Sequence, residues 1–101
     1  MEMAARLTLA STIKLTPYTL SRLIDRPLYR KEEKLVTTPQ PNVILQILLG
    51  QSSKSITFSD LIDYIEGDES LKQEIEIQHS TETSLRFYIK KLEEAKFLIV
   101  E

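Results

Sequence analysis

No cysteine occurs among the 101 residues of this chain. That excludes a disulfide scaffold, a thiolate zinc site and thiol catalysis together, and it suits a reducing cytosol. Only two glycines are present, Gly50 and Gly67, and neither opens a loop able to cradle phosphate. The single histidine, His79, stands beside Ser80 and Thr81 with no orienting acid at a recognisable spacing, so it reads as an exposed loop residue rather than a general base. The acidic run Glu66, Asp68 and Glu69 lacks the alternating ligands and turn glycine of a calcium loop, and reads as a solvated helix end. Residues 43–49 form the longest apolar cluster, far short of the ~20 needed to span a bilayer. No sustained apolar segment follows Glu2 and Arg6, so no secretory leader is expected. These absences point away from an enzyme, from any cofactor or metal and from the membrane, and toward a cytoplasmic protein.

What is present has a charge pattern. The net charge is -2, but residues 1–41 hold seven Lys or Arg against four Asp or Glu, and residues 42–101 hold six against eleven. A basic arm on an acidic body suits binding to an anionic polymer, to the body itself or to a second copy. Thr37, Thr38, Pro39, Gln40 and Pro41 make the strongest linker, since two prolines favour extended backbone. The boundary is therefore set between an amino-terminal arm, 1–41, and a body, 42–101.

In the arm, Leu7, Leu9, Ile13 and Leu15 alternate with polar or small residues, and part of this stretch is expected to be strand. Thr16-Pro17 predicts a helix start, with Leu20, Leu23 and Ile24 as its apolar stripe and Pro27 as its end. Residues 28–36 carry mixed charges between apolar ends and read as a solvated segment. In the body, Asn42 and Gly50 are the expected caps of a helix that is apolar nearly all round, hence the central core helix. Ile56-Thr57-Phe58 suits a very short strand. Ser59 is the expected cap of the next helix, which ends at Gly67 with Asp60 in its first turn. Residues 68–79 read as helix followed by loop, although Glu74-Ile75-Glu76-Ile77 alternates as a strand does.

Ser80 or Thr81 then caps a last helix, in which Leu85, Tyr88, Ile89 and Leu92 share one face. Phe97, Leu98, Ile99 and Val100 follow as a short buried strand. The body thus reads helix, short strand, helix, a further segment, helix, strand, and that order resembles the winged helix-turn-helix superfamily of DNA-binding domains. The local likeness is carried by residues 84–99, SLRFYIKKLEEAKFLI, which is similar to a recognition helix leading into the first wing strand. The fold expected is mainly α with a small β component: a winged-helix-like three-helix core with short strands and an amino-terminal arm. Three departures stand out. Lys96 occupies a turn where the superfamily commonly has glycine. The link from Gly67 to Ser80 requires an insertion or extra helix. The sequence ends at Glu101, so the second wing strand is either missing or supplied by the arm.

The resemblance implies a small regulator, or a replication or mobile-element accessory factor, that reads duplex DNA with the helix at 81–95, as a homodimer. Thr83 would position the helix, Arg86 and Lys90 would meet phosphate or guanine edges, and the outward Phe87 would meet a thymine methyl, a partner protein or the amino-terminal arm. Arg22, Arg26, Arg30 and Lys31 of the arm would add backbone contacts. The alternative, which the net acidity supports, is a protein-interaction module on the same scaffold with Phe87 against a partner protein.

Overall fold

A computed structural model describes residues 7–24, 39–75 and 80–101, with backbone alone at 22–24 and 39–42. The described residues form β1 (Thr12–Leu15), α1 (Pro17–Ile24), α2 (Pro39–Leu49), β2 (Ser55–Thr57), α3 (Phe58–Glu66), α4 (Glu69–Ile75), α5 (Thr81–Glu94) and β3 (Leu98–Val100). The chain is mainly helical, with one small antiparallel sheet of three strands.

The sheet order is β2-β1-β3, so the first strand lies in the middle and pairs antiparallel with both others. Ile13 sits opposite Ile56 on one side and Val100 on the other. The ladder continues beyond β3, where Thr12 and Glu101 exchange N–H···O bonds of 2.9 and 2.8 Å. Ile13, Leu15, Leu98 and Val100 are buried, while Lys14 and Ile99 face outward, which is the period-2 alternation of a half-covered sheet. Of the two possibilities left open for the strand beside residues 97–100, the arm supplies it. The amino-terminal part therefore shares one sheet and one core with the rest.

Helix boundaries follow the caps. Thr16 Oγ1 accepts from Thr19 N–H at 3.2 Å and starts α1 at Pro17. α2 begins at Pro39, three residues before the expected cap Asn42, because prolines in a first turn forfeit N–H groups that have no intrahelical partner anyway. Thr57, not Ser59, caps α3 by accepting from Asp60 N–H at 3.1 Å, so Phe58 is the first residue of the helix and not the last of the strand. Asp68 Oδ1 accepts from the backbone of Ser70 and Leu71 and caps α4, the extra helix that the long link required. Ser80 caps α5 through Thr83 N–H at 3.0 Å. His79 and the segment 28–36 lie outside the described residues.

α5 ends in a Schellman turn. Phe97 N–H donates to Leu92 O at 2.9 Å, Lys96 N–H donates to Glu93 O at 3.0 Å, and Lys96 has φ 72°. The departure from glycine is thus met by a lysine held in the left-handed region. Its carbonyl accepts from Thr16 Oγ1 at 2.8 Å, and that of Phe97 accepts from Thr19 Oγ1 at 2.8 Å, which ties α1 to the α5–β3 turn. Between sheet and helices lies one core, led by Ile44, Leu45 and Leu48 of α2, Phe58, Leu61 and Ile65 of α3, and Leu85, Ile89 and Leu92 of α5.

Candidate functional site

At 100° per residue, Leu85, Ile89 and Leu92 fall on one side of α5, and each is essentially fully buried. The opposite side carries Thr83, Phe87, Lys90, Lys91 and Glu94, all exposed. α5 is therefore anchored through its leucine-rich face and presents the other outward, as its periodicity implies. Phe87 lies near the centre of the outward arc and is 57% exposed. Its ring meets Tyr88 edge-on at 5.5 Å, and Lys91 Nζ sits 5.0 Å from its centroid.

Arg86 departs from expectation. It occupies the flank of α5, where Nε and Nη2 donate to Glu82 Oε2 at 3.0 and 2.9 Å and Nη1 donates to Leu7 O at 2.6 Å. Its guanidinium lies 5.0 Å from the ring centroid of the buried Phe58. The turn at residues 8–11, closed by Ser11 N–H to Thr8 O, brings the carbonyl of Leu7 to this point. The same segment accepts from the first backbone donors of α3, Phe58 N–H to Ser11 O and Ser59 N–H to Leu9 O. Arg86 thus joins the amino-terminal segment, α3 and α5, and its charge is matched by Glu82 one turn earlier. A ligand would have to compete with all of these partners.

The other expected residues divide. Thr83 is exposed, and its Oγ1 accepts from Ser80 Oγ at 2.8 Å within the helix start. Lys90 is exposed and makes no hydrogen bond or ion pair among the described residues. Arg22 lies in α1 with its side chain undescribed, and Arg26, Arg30 and Lys31 lie outside the described residues. Lys91 was missed: its signal was the i, i+4 spacing from Phe87, which places cation and ring on one stripe.

α3 and α5 pack against each other, and α3 packs on α4. Residues 58–75, which make up α3, α4 and the turn between them, hold six Asp or Glu against one Lys. Lys72 is itself within 3.8 Å of Glu66. On α3, Asp60 and Asp63 lie opposite the buried Phe58, Leu61 and Ile65, Tyr64 lies on the flank beside them, and all three are exposed. A basic-aromatic stripe on α5 thus adjoins an acidic-aromatic surface on α3 and α4. Among the described residues, no three His, Asp or Glu are grouped to hold a metal ion, and no helix is long and apolar enough to cross a membrane. Compared with family models, with curated proteins and with solved structures, the chain matches none.

Proposed function

We propose that the chain is a protein-interaction module on a winged-helix-like scaffold, with the outward side of α5 as its docking surface. The scaffold reading is supported by the element order from α2 to β3 and by a sheet whose central strand is supplied from the amino-terminal side. The functional reading is carried by one observation: Arg86, on the half-exposed flank of α5, is engaged by Leu7 O and Glu82, leaving an exposed Phe87 with Lys90 and Lys91 beside it. A central aromatic with a polar rim is the composition of a protein hot spot. Duplex DNA docked on α5 would bring its phosphates toward the acidic surface of α3 and α4, where like charge opposes binding.

Lys90 and Lys91 favour the second reading, a DNA-contacting helix in a winged-helix regulator. Fluorescence anisotropy of a labelled random-sequence duplex, followed from about 0.05 M to about 0.5 M salt, separates the two. No binding is expected at the lowest salt. Binding that weakens steeply with salt, and less steeply after Lys90→Glu with Lys91→Glu, overturns the interaction reading in favour of DNA.

A further inference from the structure

The outward stripes of α3 and α5 carry the same pattern with opposite charge. On α5, Phe87, Lys90 and Lys91 stand at i, i+3 and i+4; on α3, Asp60, Asp63 and Tyr64 do the same in the reverse order of type. The α5 triplet and the two aspartates lie opposite the buried faces of their helices, Tyr64 lies on the flank of α3, and each aromatic residue is about half exposed or more, 57% for Phe87 and 49% for Tyr64. None of the four charged side chains has an ion-pair partner among the described residues. Both triplets span about 6 Å along their axes at 1.5 Å per residue. Laid antiparallel with Tyr64 against Phe87, they bring Asp60 level with Lys91 and leave Asp63 about 3 Å along the axis from Lys90, within reach of its long side chain.

We infer that the partner of the α5 surface is a second copy of this chain, which offers its α3 stripe. The inference rests on the protein-docking reading above and names its occupant. Because one chain carries both stripes, a two-fold arrangement uses the contact twice, α3 on α5 of the partner and α5 on α3 of the partner, as in any isologous pair. Two stripes of this length bury less than a permanent interface does, so the association is reversible and salt-sensitive.

Sedimentation equilibrium of the full chain at about 0.05 M and about 0.5 M salt tests this. At low salt the average mass rises with concentration from 11.7 kDa toward twice that value, and high salt returns it to the monomer. Lys90→Glu with Lys91→Glu abolishes the rise, and so does Asp60→Lys with Asp63→Lys. An equimolar mixture of those two variants restores it, because every contact then pairs opposite charges again. Phe87→Ala, at an exposed position, weakens association with the circular dichroism spectrum unchanged. A chain monomeric at every concentration overturns self-docking, and so does association that the reversals leave intact or that mixing fails to restore. Monomeric behaviour alone leaves the protein-docking reading standing, since that reading fails only on the duplex measurement.

Discussion

At the scale of single residues, α5 divides its cations between contacts within the fold and the open surface. Arg86 donates to a backbone carbonyl and a carboxylate and covers the Phe58 ring, whereas Lys90, four residues on, touches none of these. Arg86→Ala leaves the Leu7 carbonyl without its donor and uncovers Phe58, which is expected to cost about 1–2 kcal/mol. The half-exposed Glu82 pair adds little to that figure. Lys90→Ala is expected to change stability by less than about 0.5 kcal/mol. Urea unfolding of the two variants checks both values, and equal losses would place Arg86 on the surface with Lys90. Thr81 offers a second test. It is 2% exposed, and its hydroxyl has no hydrogen bond among the described residues. Burying an unpaired hydroxyl is unfavourable, so Thr81→Val, which keeps the shape, is expected to stabilise by up to about 1 kcal/mol. A loss of that size would reveal a partner for the hydroxyl.

At the scale of elements, the turn after α5 holds the least comfortable residue of the motif. A non-glycine residue in the left-handed region costs roughly 1–2 kcal/mol, and glycine gives back about half of that through its freer unfolded chain. Lys96→Gly is therefore expected to stabilise by about 0.5–1 kcal/mol with both Schellman hydrogen bonds retained, read as a raised urea midpoint at unchanged slope. The helices themselves were legible in the sequence because their apolar periods and caps agree. Thr16-Pro17 starts a helix as read, Ser80 rather than Thr81 caps the last one, and of Leu85, Tyr88, Ile89 and Leu92 all but the half-buried Tyr88 are fully buried. Boundaries were less so. Prolines at 39 and 41 read as linker because proline suits both extended backbone and a first helical turn. Thr57 and Ser59 are both acceptable caps, and only tertiary placement of Phe58 in the core selects the first.

At the scale of the whole molecule, the amino-terminal strand is the piece that local pattern could not place. Alternation from Leu7 to Leu15 suggested strand, but pairing spans more than eighty residues to β3 and has no local signature. Arg86 escaped for the same reason, since the carbonyl it reaches belongs to Leu7. Because β1 alone joins β2 to β3, the sheet depends on it. Ile13 is fully buried there, so Ile13→Ala is expected to cost about 3 kcal/mol. Removal of residues 1–15 is expected to abolish cooperative unfolding altogether. A truncated chain that still unfolds in one sharp transition would mean that the body is independent of its first strand.

The outward side of α5 is held here to meet protein rather than phosphate, and amide shift mapping of the full chain tests this most directly. Diluted at low salt without any ligand, the chain is expected to shift its amides around Phe87, Lys90 and Lys91 together with those around Asp60, Asp63 and Tyr64. Added random-sequence duplex is expected to move neither group. Saturable shifts along α5 on adding duplex, with no change on dilution, would contradict that picture and make α5 a DNA-reading helix.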